Sequence, residues 1–329
     1  MIAGILCGGY GKRLQPLTKD LPKSLLEIKK NYTILDKQLL RLKYVGIEKV
    51  YLLVGWLGEK IKERYQDEWN GIQIEYFFEK EPKGTLFAIN NLLKAVNDDV
   101  VVLNGDIVTD INIKEMIKNH IKDEVTMLIV PLRSSYGIVQ TFDNKIVSFQ
   151  EKPFLPHYIN GGIYIISQKA FSLFLKHKEG NFEELVFPGL SQMKLLNAYK
   201  EDGVFWASID SLKDLEEVLK EYENKIDKPW GYEKVIIASE KYLVKELYIM
   251  KGERTSYQYH NEKDETLHIL KGKVMVRLED KEIILNPNDK LRLKPKDKHQ
   301  TIALENTWIF EYSTPHPDDV VRLEDPYQR

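Results

Sequence analysis

A single cysteine, Cys7, occurs among the 329 residues. One thiol cannot build a disulfide framework, so a stapled secreted scaffold is excluded and a reducing compartment is expected. The chain also lacks an excess of either charge. Its 48 basic and 50 acidic residues leave a formal net charge of −2, which removes the global field that nucleic acid or an anionic membrane would require. No apolar run is long enough to cross a bilayer, and the short one after Met1 has no basic flank, so neither a membrane span nor a signal peptide is read. A soluble, cytoplasmic protein with no nucleic-acid or membrane partner is expected. Two familiar phosphate loops are missing as well. No Lys-Ser or Lys-Thr follows a glycine at Walker A spacing, and the dinucleotide-binding glycine pattern is absent.

What is present is enough for two domains with full cores: 329 residues, 43% of them hydrophobic. The stretch that organises the first domain is its beginning. Ile2 to Leu6 reads as a short buried strand. Gly8, Gly9 and Gly11 follow, and glycines let backbone N–H groups approach a ligand without a Cβ in the way. Arg13 and Lys23 bring two cations to the same loop. Arginine offers a planar fork and lysine a point charge, so cradle and cations together suggest a triphosphate. A plain glycine turn with two solvated cations reads the same way on these few residues alone. Cys7, beside the glycines, is read as a small buried residue.

Further along, apolar periodicity predicts a helix over 34–44, a strand over 49–54, a helix over 59–65, a strand over 72–78, a helix over 86–95 and a strand over 100–103. Strands alternating with helices argue a parallel sheet covered on both faces, with ligands at the carboxyl ends of the strands. The glycine loop, Gly84-Thr85 and Gly105-Asp106 all fall at such ends. Asn112 or Asp110 is the better cap for the next helix, which leaves Asp106 available to a hard cation such as Mg²⁺. Another helix is predicted over 212–222, with Asp210 or Ser211 as its cap.

The string GGxGxRLxPLT with Pro22-Lys23 beyond it resembles the signature of the sugar-1-phosphate nucleotidylyltransferases. Segments in family order follow: Glu79 to Thr85 as ExxPxGT, Asn104-Gly105-Asp106, Tyr136-Gly137-Ile138-Val139, Phe149 to Pro153 and Asn160 to Tyr164. This resemblance implies a Rossmann-like, mixed-sheet α/β domain of glycosyltransferase-A type over residues 1–225. It places the nucleotide on Leu6, Gly8, Gly9, Gly11, Glu79, Gly84 and Thr85. The sugar phosphate falls to Gly137, Glu151, Lys152 and Asn160. It makes Arg13, Lys23, Asp106 and Lys152 catalytic, with Mg²⁺ on Asp106. One position departs from the pattern: the second carboxylate of the family's WxDIGT is Ser208 here, and Asp210 stands two residues on. Residues two apart on an extended segment share a side, so Asp210 is the expected second Mg²⁺ ligand.

After residue 225 the character changes to short strands at even spacing, which argue a small all-β barrel or jelly roll with no helix. Gln258 and His260 share one side of a strand, Glu265 returns on the next, and His299 comes from a later turn. Two imidazoles, a carboxylate and an amide can hold Zn²⁺ or another divalent metal. His268 is out of step with Glu265 and is excluded. The blocks KPWGYE, GERTSYQYH, PKDKHQ and DDVVRLEDPYQR resemble the cupin domain of type II mannose-6-phosphate isomerases over residues 226–329. That resemblance puts Arg254 over the metal as a phosphate-binding or catalytic cation. It also shows two replacements, since Glu262 and Lys263 stand where the family carries His and Arg.

Together the resemblances imply an enzyme of the bifunctional guanylyltransferase–isomerase architecture. Its substrates would be a nucleoside triphosphate and a sugar 1-phosphate, foremost GTP and mannose 1-phosphate, with a cupin that isomerises mannose 6-phosphate. The alternative is glucose 1-phosphate or heptose 1-phosphate with UTP, dTTP, CTP or GTP, and a cupin that only binds sugar or joins subunits. A homo-oligomer is expected.

Overall fold

The computed structural model describes residues 1–81 and 83–327. Pro82 of the Glu79–Thr85 segment, and Gln328 and Arg329 of the C-terminal block, lie outside the described residues. The chain divides into two units, Met1–Val218 and Leu219 to the C-terminus.

The first unit is built on an eight-stranded sheet. From edge to edge it runs Leu196–Tyr199, Val125–Arg133, Phe154–Ile166, Val100–Asn104, Ile2–Cys7, Lys49–Val54, Ile72–Phe78 and Glu68–Trp69. The strand Ile2–Cys7 pairs in parallel with both neighbours. Period-two alternation divides it between two cores: Ala3, Ile5 and Cys7 face one, and Leu6 packs against the other. Leu35, Leu39 and Leu42 of the helix Ile34–Tyr44 fill the first core. Leu86, Ile89, Leu92 and Leu93 of the helix Thr85–Ala95 fill the second. Both helices carry their apolar residues at three- and four-residue intervals, the stripe that faces a sheet.

The sheet is mixed, not parallel throughout. Phe154–Ile166 runs antiparallel to both Val100–Asn104 and Val125–Arg133. Between Val125–Arg133 and Phe154–Ile166 in sequence lies a separate hairpin, Ile138–Phe142 with Lys145–Gln150. Both its strands are mostly exposed.

The second unit contains two antiparallel sheets. One orders Lys225–Lys228, Gly231–Ala238, Leu243–Ile249, Thr307–Ser313, Glu265–Lys271 and Lys290–Leu293. The other orders Glu282–Leu285, Val274–Leu278, His299–Ala303, Tyr257–Tyr259 and Val321–Glu324. Their shared core takes Leu247, Ile249, Leu267, Ile269 and Ile309 from the first, and Val274, Val276, Leu285 and Ala303 from the second. No helix occurs among the described residues after Tyr222.

Candidate active site and metal centre

In the first unit, the carboxyl ends of the strands surround a cleft of ≈ 440 Å³. Eleven of the expected residues line it: Leu6, Gly8, Gly9, Gly11, Arg13, Lys23, Glu79, Gly84, Thr85, Asp106 and Asp210. The glycine loop is held in shape locally. Gly11 takes φ +60°, and the Thr18 hydroxyl donates to its carbonyl at 2.7 Å. A Cβ on Gly11 would come within 2.9 Å of the Thr18 side chain, so this position requires glycine.

Charges converge beside that loop. Lys23 Nζ donates to Asp106 Oδ2 at 2.6 Å and to Asp210 Oδ1 at 3.0 Å. Arg13 Nη2 donates to the same Asp210 oxygen at 2.8 Å. Partial burial works against the Asp210 charge, but the Lys23 hydrogen bond and the Lys23 and Arg13 charges outweigh it and hold the carboxyl below its ordinary range. Ser208, at the family position of the second carboxylate, donates to Asp210 Oδ2 at 3.1 Å. Asp210 does not cap the following helix. Asp214 Oδ2 accepts from the Ser211 backbone N–H, and Ser211 Oγ accepts in return from the Asp214 N–H, a reciprocal cap that leaves Asp210 to the cleft. Of the two expected caps, it is Asn112 that caps the helix Ile113–Lys118. Asp110 is buried against Lys37 at 2.8 Å. Two carboxylate oxygens aimed at one cationic point are a donor set that fits Mg²⁺.

Beside the lining residue Gly84 a second glycine packs closely. Gly84 has φ +89°, and a Cβ there would lie 2.2 Å from the carbonyl oxygen of Gly180. Gly180 donates to Lys83 O and accepts from the Leu86 N–H. This contact brings Asn181 into the lining, a residue no local pattern marks. The Thr85 hydroxyl is engaged with Glu183 Oε2 at 2.8 Å. Glu79 lines the cleft with a buried Oε1 that has no protein partner, and burial raises its carboxyl above the ordinary value. The Cys7 thiol is buried, pushed up to about 12 by desolvation and therefore inert.

Gly137, Glu151, Lys152 and Asn160 are not among the lining residues of this cleft. The first three flank the exposed hairpin, where Lys152 Nζ lies 3.5 Å from Glu151. Lys152 takes φ +44°, uncommon for a side-chain-bearing residue. Asn160 is satisfied internally: its amide donates to Tyr164 Oη at 2.8 Å and its Oδ1 accepts from the Gly162 N–H.

In the second unit His260, Glu265 and His299 are buried, with ligand atoms all within 4.8 Å of one another. Glu265 Oε1 lies 3.5 Å from His260 Nε2 and 3.2 Å from His299 Nε2. Backbone carbonyls hold the other ring nitrogens. The Nδ1–H of His260 faces Asp319 O, and that of His299 faces Asp297 O at 3.0 Å. Both Nε2 atoms thereby face the Glu265 oxygen. Burial disfavours a charged Glu265. The two histidines and Lys263 outweigh it, holding the carboxyl well below its ordinary value. Lys263 is itself buried, touching Glu265 Oε2 and donating to Glu311 Oε1 at 2.9 Å. The donor set fits a divalent metal.

The remaining expected residues are placed less directly. Gln258 pairs across the ladder with His299, and its Oε1 accepts from Ser256 Oγ at 2.6 Å. Arg254 is exposed, and its backbone N–H donates to Tyr327 Oη at 3.2 Å. Glu262, at the family position of a histidine, points to His316 at 3.7 Å and not into the site. Sequence reasoning missed Asp319. Its carboxylate accepts the backbone N–H groups of Asn261, Glu262 and Lys263, fixing the loop that carries His260.

The layout is a mixed α/β unit with a charged cleft at its strand ends, followed by an all-antiparallel β unit with a buried His–Glu–His cluster. Residues 2–225 match the family model described as nucleotidyl transferase, and residues 216–325 match the one described as mannose-6-phosphate isomerase C-terminal. The chain belongs to the nucleotidyl transferase family. It is 38% identical over 201 residues to the D-glycero-alpha-D-manno-heptose 1-phosphate guanylyltransferase of Campylobacter jejuni, covering 59% of this chain and 88% of that protein. It is 34% identical over 227 residues to the mannose-1-phosphate guanylyltransferase catalytic subunit beta of Xenopus tropicalis, covering 65% and 62%. Among solved structures, HddC from Yersinia pseudotuberculosis complexed with GMP-PN superposes with a TM-score of 0.54 at 22% identity, over 67% of this chain and 99% of that one. A glucose-1-phosphate thymidylyltransferase structure from Bacillus anthracis gives 0.56 at 21%, over 70% and 98%. These two likenesses concern the fold. No helix among the described residues is long and apolar enough to cross a membrane.

Proposed function

We propose that the first unit joins GTP to a sugar 1-phosphate of manno configuration, mannose 1-phosphate foremost and a manno-heptose 1-phosphate next. The observation that carries this is the meeting of Arg13, Lys23, Asp106 and Asp210 beside the glycine loop. A phosphate oxygen of the sugar would form its bond to the α-phosphorus as the bond to the bridging oxygen breaks, and pyrophosphate leaves with the electron pair. No protein nucleophile is needed, so catalysis is positioning and charge neutralisation. The loop N–H groups from Gly8 to Gly11 and Arg13 would hold the departing pyrophosphate. Lys23 would neutralise the phosphoryl oxygens. Mg²⁺, held by Asp106 and Asp210, would supply further positive charge there. Guanine is supported by the guanylyltransferase relatives and by Glu79, whose unpartnered oxygen suits the N–H donors on the edge of that base.

Pyrophosphate release from a panel of nucleoside triphosphates against mannose, glucose and heptose 1-phosphates tests the reading. Release with GTP and a manno sugar is expected. Preference for UTP or dTTP with glucose 1-phosphate would replace it.

For the second unit we propose a cupin that holds Zn²⁺ or another divalent ion on His260, Glu265 and His299, with Gln258 beside them, and that isomerises mannose 6-phosphate. The buried donor set and the family match support it. Arg254 would meet the sugar phosphate. Metal content of the full chain and interconversion of mannose 6-phosphate and fructose 6-phosphate test this. Bound metal without interconversion would make the cupin a sugar-binding or subunit-joining module. The proposal takes the chain as a cytoplasmic homo-oligomer, which light scattering and cell fractionation check.

A further inference from the structure

The place where a divalent ion would sit between Asp106 and Asp210 is filled by a side chain of the protein. Lys23 Nζ lies 2.6 Å from one carboxylate and 3.0 Å from the other. An ammonium at those distances and a divalent ion on the same two oxygens exclude each other. Lys23 is mostly buried, with 14% of its side chain exposed, so solvent screens this contact little. Arg13 also touches Asp210, but it is 76% exposed and is well screened. Lysine is suited to two positions because its charge is a compact point on a flexible four-carbon stem.

We infer that Lys23 is the resident counter-ion of the Asp106–Asp210 pair, and that the cleft takes a divalent ion tightly only together with a triphosphate. The triphosphate oxygens offer the ammonium a new partner, and its departure opens the two carboxylates. Free metal offers no such partner and must displace a part-buried cation unaided. This rests on the transferase reading in that it names what draws Lys23 away. It adds what occupies the carboxylate pair before a triphosphate arrives.

The test measures Mn²⁺ binding to the full chain by calorimetry and electron paramagnetic resonance, with and without a non-hydrolysable GTP analogue. The variants are Lys23→Met, Lys23→Arg and Lys23→Met/Asp106→Asn. Without nucleotide, Lys23→Met is expected to bind Mn²⁺ about tenfold tighter than wild type or more, as removal of a buried like charge predicts. The gain should vanish in Lys23→Met/Asp106→Asn, which assigns it to this cleft and not to the cupin. Lys23→Arg keeps the charge and should stay as weak as wild type. In wild type the analogue should tighten Mn²⁺ by a similar factor.

Equal or weaker Mn²⁺ binding by Lys23→Met overturns the inference, and so does tight binding by Lys23→Arg. Turnover is not the readout, because Lys23→Met loses it on either account. If wild type releases no pyrophosphate yet Lys23→Met gains the Mn²⁺ site, the transferase reading fails and the counter-ion role stands.

Discussion

Each unit sets a lysine against acidic groups where a metal fits, two carboxylates in the first and one with two histidines in the second, but the two lysines stand in different places. In the first unit Lys23 lies between Asp106 and Asp210, in a cleft where Asp210 remains 38% exposed. In the second, Lys263 touches the far oxygen of Glu265, while the near oxygen faces two histidines whose rings are fixed by backbone carbonyls. In the first cluster a lysine occupies the space between the two carboxylates. In the second the lysine sits on the far side of the carboxylate and leaves its near oxygen to the two imidazoles. On the reading proposed above, the first would suit a metal that arrives with substrate and the second a resident one.

Turnover is where the contrast should break most visibly. Lys23→Ala or Asp106→Asn should lower pyrophosphate release by ~100-fold or more, the scale of losing one preorganised charge, while cupin metal content stays at the wild-type level. Near-normal rates in both variants would remove these residues from the mechanism. Next comes Asp319→Ala, which frees the His260 loop and should weaken metal binding in the barrel by ~10–100-fold, read by competition with a chromogenic chelator. Transferase activity should not change.

A smaller effect sharpens the first cluster alone. Ser208→Ala removes one hydrogen bond to Asp210 and should raise the Mn²⁺ requirement for turnover only about threefold to tenfold. An effect as large as that of Asp106→Asn would mean that Ser208 itself meets the ion.

The smallest effect is on stability against pH. For Asp319, burial opposes the charge, but N–H donation from Glu262, Asn261 and Lys263 depresses its pKa. A depressed carboxyl contributes stability above its unfolded pKa and loses it as pH falls through the folded one. The wild-type barrel should therefore lose more thermal stability in acid than Asp319→Ala, with no difference between their pH slopes from pH 6 to 8.

Regular periodicity made much of this legible. Helices Ile34–Tyr44 and Leu212–Tyr222 and strands Lys49–Val54 and Ile72–Phe78 fall where their apolar spacing put them. Glu265 faces inward with Leu267 and Ile269, and His268 does not, as strand alternation requires. What stayed hidden depends on partners far along the chain. Nothing in Phe154–Ile166 announces that it runs antiparallel between two other strands. Asn181 reaches the cleft only through the Gly84–Gly180 contact, and Asp319 reaches His260 across 59 residues. Gly137, Glu151 and Lys152 flank a hairpin whose two strands pair with each other, a pairing that motif order cannot reveal.

The meeting of Gly84 and Gly180 has a bearing on how this enzyme can change. At Gly84 main chain packs against main chain, with no room for even a methyl group. Replacement at Gly84 is closed unless the Gly180 segment shifts with it. Evolutionary change in this cleft therefore has to run through its side chains, Glu79 and Asn181 among them.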